Sequence, residues 1–378
     1  MNLLRDELHR IADEAPQIDL ADRALKGAKR GRAITMALAV VIAVAVLTGG
    51  MVTVVNGGLR GERPVVLTPV PAVAPVLPKK DIGPLARAYT YFCPPPTIDD
   101  TDCVDGQWRV VTASGMTYKL TAALGLKNTN KKVLLGPVAI TQNGRRIAYY
   151  SEKQQTFEVR DLRSGRIWKA PFTISKNELA GENFLRLSPN GLHLLYANFG
   201  GRSKPYSVLV DVAEGKTTTL NGTWLPVSVD DDGGSVTQVM PYDGTTRIRV
   251  LGNEPLTIKE ATHSFSALGP DGRTLARIGS TRNRDAKPEL RRPRTIVTID
   301  AIGGHENPEV PIQGIPEELV PSYLGGWVGD TEVTLLAVPE LSGSGTPALY
   351  VLDVHTGRTR QLRTLDSETS GVLPGMVG

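Results

Sequence analysis

Cysteine is scarce in this sequence: only Cys93 and Cys103 occur in 378 residues, too few for a disulfide-dense scaffold and with no CxxC spacing to support a redox role. Histidine is scarce too. His9, His193, His263, His305 and His355 are scattered, with no metal-ligand spacing among them. The serine nucleophile elbow GxSxG is missing; Ser342-Gly343-Ser344-Gly345 lacks its first glycine and reads as a loop. Asp230-Asp231-Asp232-Gly233 lacks the alternating oxygen ligands and terminal Glu of a calcium loop, so a solvated turn is expected. Neither sign of charge dominates. The net charge is +4, spread along the chain, which argues against a nucleic-acid binder. No catalytic residue, metal or cofactor is therefore expected.

One absence is local and informative. From Ala33 to Leu59 there is no charged side chain, and Ile34–Val55 reads ITMALAVVIAVAVLTGGMVTVV. Roughly 20 apolar residues suffice to cross a hydrocarbon core of about 30 Å, and only a helix satisfies its own backbone there. A transmembrane helix is expected over 33–56. Arg23, Lys26, Lys29, Arg30 and Arg32 crowd its N-terminal flank, against Arg60 and Arg63 on the other side. The positive-inside rule then places residues 1–32 in the cytoplasm and the bulk of the chain outside. The run is longer than a signal-peptide core, and no small-x-small cleavage site follows it, so an uncleaved signal anchor is expected.

Within 1–32, Leu4, Leu8, Ile11, Ala12 and Ala15 share one helical face, and Ala21, Ala24, Leu25 and Ala28 form a second stripe. Such short helices do not fold on propensity alone. Their apolar faces, with Leu4, Leu8, Ile11 and Leu25 as anchors, need either the lipid surface or a cytosolic protein partner. Residues 57–84 contain six prolines between Glu62 and Pro84. That density favours an extended spacer outside the membrane, about 3.1 Å per residue.

Beyond residue 85 the sequence is repetitive and all-β. A Gly- or Asp-bearing turn precedes an apolar strand at Gln142-Asn143-Gly144, Ser188-Pro189-Asn190-Gly191, Asp231-Asp232-Gly233, Gly269-Pro270-Asp271-Gly272 and Val328-Gly329-Asp330, at spacings of 47, 42, 39 and 59. The long interval holds the basic stretch TRNRDAKPELRRPR (281–294), an expected loop insertion. A second element is a strand ending in Asp, then a Gly turn, then a return strand: FEVRDLRSGRIWK (157–169), SVLVDVAEGKTTTL (207–220), TIVTIDAIGGHENPEV (295–310) and LYVLDVHTGRTRQL (349–362). Asp211 and Asp300 are two periods apart, so a degenerate copy is expected near 244–258, and 107–121 supplies the clearest hairpin of a divergent first blade. Paired β-runs with a period of 40–50 residues predict a β-propeller over 85–365, with six blades or seven, and a short tail over 366–378.

The SPNG and GPDG turns with their DxxxG hairpins resemble the WD40/TolB-like propeller superfamily, over nearly all of the chain beyond residue 85. The layout, and LHRIADEAPQIDLADRALKGAKRGR (8–32) in particular, resembles single-pass membrane proteins of actinobacteria, some of which sit beside extracytoplasmic-function sigma factors. That resemblance implies a signalling role. Cys93 and Cys103 both fall in the portion that the flanking charges place outside, where an oxidising compartment favours a disulfide between them. The function expected is external binding or scaffolding of a protein or cell-envelope ligand, possibilities within which a propeller hydrolase or lyase with a central-channel site is the alternative.

Overall fold

Several strands are short and apolar because they are buried on both faces. HLLYAN (193–198) and ALYVLD (348–353) are read by two neighbouring sheets at once. The computed structural model describes residues 74–90, 106–129, 132–176, 178–179, 181–199, 204–279, 294–340, 345–365 and 371–376. The expected membrane and cytosolic segments, with Leu4, Leu8, Ile11 and Leu25, and also Cys93 and Cys103, lie outside the described residues. Among the described residues there is no helix, hence none long and apolar enough to cross a membrane.

The sheets form a ring of six blades. Blade 1 contains β1 (Leu85–Thr90), β2 (Trp108–Thr112) and β3 (Thr117–Lys119), with β25 (Gly371–Val372) as its innermost strand. A hairpin of β4 (Lys127–Thr129) and β5 (Lys132–Leu134) follows. Blade 2 is β6 (Val138–Ile140), β7 (Arg146–Ser151), β8 (Thr156–Asp161) and β9 (Ile167–Lys169). Blade 3 is β10 (Asn183–Leu187), β11 (His193–Asn198), β12 (Tyr206–Asp211) and β13 (Lys216–Leu220). Blade 4 is β14 (Leu225–Val229), β15 (Val236–Tyr242), β16 (Thr245–Val250) and β17 (Leu256–Ile258).

Blade 5 has β18 (Thr274–Gly279), β19 (Thr295–Asp300) and β20 (Val310–Pro311); its inner position is taken by Ser264–Ser266, bonded to Ala276 and Ile278 without a full ladder. Blade 6 is β21 (Leu319–Trp327), β22 (Glu332–Pro339), β23 (Ala348–Asp353) and β24 (Thr359–Thr364). The degenerate repeat expected near 244–258 is β16 and β17 of blade 4.

The ring reaches past 85–365 at both ends. Ala74, Leu77 and Ile82, in the stretch expected to be spacer, are buried, and Val76 bridges Lys119 of β3. At the far end, residues expected as a tail close the circle: Ala88 pairs with Val372 and Tyr89 with Gly371. A two-residue strand carries no periodic signal, so the repeat pattern could not announce it.

Apolar clusters pack the blades face to face. Phe157, Tyr150, Tyr196 and Val210 join blades 2 and 3, and Ile147, Tyr149, Ala88 and Trp108 join blades 1 and 2. Comparable clusters join blades 4 and 5 and blades 5 and 6. Two junctions differ. Among the described residues, the buried apolar cluster shared by blades 3 and 4 is Leu195, Leu209, Val229 and Val236, and that shared by blades 6 and 1 is Leu349, Leu365 and Leu373.

Candidate binding surfaces of the ring

Antiparallel order puts two turns of every blade on one rim, between the first and second strands and between the third and fourth. In the first type, Asn143, Asn190, Asp232 and Asp271 occupy the same place. Each side-chain oxygen accepts the N–H two residues on, from Arg145, Leu192, Gly234 and Arg273. The following Gly144, Gly191, Gly233 and Gly272 take positive φ, a region glycine enters without cost to a Cβ. In the second type, Asp161, Asp211, Asp300 and Asp353 each accept turn N–H groups through Oδ1. These donors, with Arg273 at 2.6 Å, hold the Asp300 carboxyl down at about 2.

The rim is tied blade to blade. Arg146 donates to Asn190 O, Asn190 N–H to Asp231 Oδ1 (2.5 Å), Leu268 N–H to Ser228 Oγ (3.1 Å), Trp327 Nε1 to Ala267 O (2.7 Å) and Gln142 Nε2 to Trp327 O (2.6 Å). The Asp230–Gly233 stretch belongs to this lacing: Asp230 Oδ2 accepts from Ser235 N–H and Asp232 Oδ1 from Gly234 N–H.

Buried ionisable groups elsewhere have partners. Tyr149 donates to Glu158 (2.9 Å), and burial followed by that carboxylate's charge pushes the phenol well above its ordinary range. Arg277 is held between Glu260 (2.5 Å) and Glu306 (3.1 Å). Arg160 donates to Pro78 O, anchoring the approach to blade 1, and burial lowers its pKa.

The histidines do not converge. His193 Nε2 lies 3.8 Å from Asp211 Oδ2, and the main-chain N–H of His355 donates to Asp353 Oδ1. Among the described residues no three His, Cys, Asp or Glu side chains are grouped to hold a metal ion. Most of the basic insertion, and Ser342 to Ser344 of the SGSG loop, lie outside the described residues; Arg294, at the insertion's end, donates to Glu317 O.

The seam between blades 3 and 4 gathers charge that the sequence reading passed over. Leu185 and Leu187 of β10 face blade 2, so alternation turns Phe184 and Arg186 toward blade 4. Ile248 and Val250 of β16 face blade 5, so Arg247 and Arg249 turn toward blade 3. Both guanidiniums lie against Trp224, with Cζ 5.4 Å (Arg247) and 4.5 Å (Arg249) from its ring centre, while Trp224 itself is only 4% exposed. Arg249 donates to Gln238 Oε1 (2.5 Å) and Arg186 Nη1 to Leu185 O (3.2 Å). The legible signal was TTRIRV, a third strand of a blade with arginine at alternate positions.

The arrangement defines the class: a closed, six-bladed β-propeller. No protein-family model and no curated protein matches the chain. Among solved structures it is similar to a putative TolB from Agrobacterium tumefaciens (12% identity, TM-score 0.45, 64% of this chain and 84% of that one). It is also similar to an oligogalacturonate lyase from Vibrio parahaemolyticus (14%, 0.44, 70% and 74%) and to the β-propeller domain of the Trilobed protease from Pyrococcus furiosus (13%, 0.38, 62% and 72%). These are likenesses of fold, and no activity is taken from them.

Proposed function

We propose that this chain is a single-pass membrane protein whose propeller binds a protein or cell-envelope ligand outside the cytoplasm, without an enzymatic step of its own. The observation that carries the reading is the uncharged run Ala33–Leu59 ahead of the ring, with basic residues concentrated on its N-terminal flank. A reporter active only outside the cytoplasm, fused after residue 80 or after residue 378, is expected to be active in both positions. Activity only in an N-terminal fusion would reverse the topology and sink the reading.

The cytosolic segment supplies the signalling half of the proposal. An amphipathic helix lays anchors spaced like Leu4, Leu8 and Ile11 into a partner's groove, with Leu25 on a second stripe. The partner class to test first is an extracytoplasmic-function sigma factor. Burying one such side chain is worth roughly 1.5–3 kcal/mol, so Leu8→Asp in the full chain should abolish co-purification of that sigma factor. Equal recovery with the wild type and Leu8→Asp would leave only a tethered external module.

A further inference from the structure

We propose that the blade 4 face of the seam between blades 3 and 4 is an oxyanion-binding site, in which Arg247 and Arg249 grip a phosphoryl or carboxylate group. The inference begins with unbalanced charge. No carboxylate is hydrogen-bonded or ion-paired to Arg247 or Arg249 among the described residues, whereas Arg146 and Arg273 each hold one and Arg277 holds two. Nε of Arg249 is buried and has no acceptor among the described residues. Burial, with the neighbouring charge of Arg247, lowers the Arg249 guanidinium. Two like charges held side by side and partly out of water, with no carboxylate beside them, are costly unless a counter-charge neutralises them.

Geometry narrows what that counter-charge is. Trp224 lies under both guanidiniums and holds the two side by side, and guanidinium N–H groups meet phosphate and carboxylate oxygens in pairs. Arg247 is exposed and Arg249 half-buried, so the pair leads from solvent inward. The Gln238 amide, with Nε2 buried and unpartnered, adds a neutral donor beside Arg249. Trp168 offers a control within the same molecule. It too lies under two arginines, Arg146 at 4.9 Å and Arg166 at 4.7 Å, but there Arg146 is neutralised by Asp161 at 3.2 Å.

The site deepens the binding-module reading by naming a ligand class, yet it rests on the seam alone, so its failure leaves the topology result untouched. The test uses the full chain in detergent micelles, titrated calorimetrically with inorganic pyrophosphate and, separately, citrate at constant ionic strength. Saturable binding is expected. R247Q, at an exposed position, should leave the thermal midpoint without ligand unchanged and weaken binding about tenfold, and R247Q/R249Q about 100-fold, in line with the loss of charge-assisted hydrogen bonds. R166Q should bind like the wild type. Binding of pyrophosphate alone assigns the site to phosphoryl groups, of citrate alone to carboxylates, and of both to oxyanions generally. No saturable binding of either, or unchanged affinity in R247Q/R249Q, would overturn the proposal.

Discussion

At the scale of single residues, the rim turns assign different costs to glycines that look alike in sequence. Gly215 and Gly357 hold the same place in blades 3 and 6, with φ of 65° and 69°. A Cβ on Gly215 would meet nothing within 4 Å, whereas one on Gly357 would sit 2.0 Å from Pro311 O of blade 5. Gly215→Ala should therefore cost only the left-handed backbone, about 1–2 kcal/mol. Gly357→Ala must also displace a neighbouring blade's main chain, and urea unfolding should show a clearly larger loss; equal losses would mean the blade 5–6 contact yields freely. The aspartates of these turns set a pH response. Asp161, Asp271, Asp300 and Asp353 all have carboxyls held below the ordinary value, Asp300 to about 2. A depressed folded pKa adds stability that is present above the unfolded value near 3.9 and lost as pH falls through the folded one. Stability should thus decline between about pH 4 and 2, and Asp300→Asn should flatten that decline; an unchanged slope would remove Asp300 from the response.

At the scale of elements, the ring depends on its smallest strand. β25 covers the inner edge of β1 through Ala88 and Tyr89, and Leu373 beside it is buried with Leu349 and Leu365. Ending the chain before Gly371 would leave those β1 groups unpaired and uncover an apolar junction. Hydrogen exchange should then accelerate in β1 and β24 while β11 and β12, inside the blade 2–3 junction, stay protected. Uniform acceleration would mean that closure governs every blade. What was legible in advance follows the same physics. Asn-Gly and Asp-Gly turns and Asp-to-Gly hairpins are local, so they spelled out the repeats and even the weak copy at 244–258. The closure strand is made by pairing across nearly the whole chain, and blade 5's inner edge is Ser264–Ser266 rather than an apolar run; neither leaves a local pattern. The arginines of TTRIRV were visible, but only the facing blade shows that no carboxylate meets them.

At the scale of the whole molecule, the clusters divide the ring into blades 1–3 and blades 4–6, each continuous in apolar packing, joined across two thinner seams. Apolar burial stabilises by roughly 25 cal/mol per Å², so the seams should open at lower free energy than the junctions within a half. Two positions on opposite faces of β12 can report this. Ser207 is fully buried on the side facing blade 4, and Val210 is fully buried on the side facing blade 2. In a background carrying Cys93→Ser and Cys103→Ser, single Ser207→Cys and Val210→Cys substitutions place one thiol on each side of the same strand. Thiol labelling under native conditions should be faster at the Ser207→Cys position by roughly tenfold or more, a difference of about 1.4 kcal/mol in opening free energy. Pyrophosphate or citrate, if bound by Arg247 and Arg249, should slow labelling there and leave the Val210→Cys rate unchanged. Equal rates at both positions without ligand would mean that the six blades open as one unit, and the division into halves would fall.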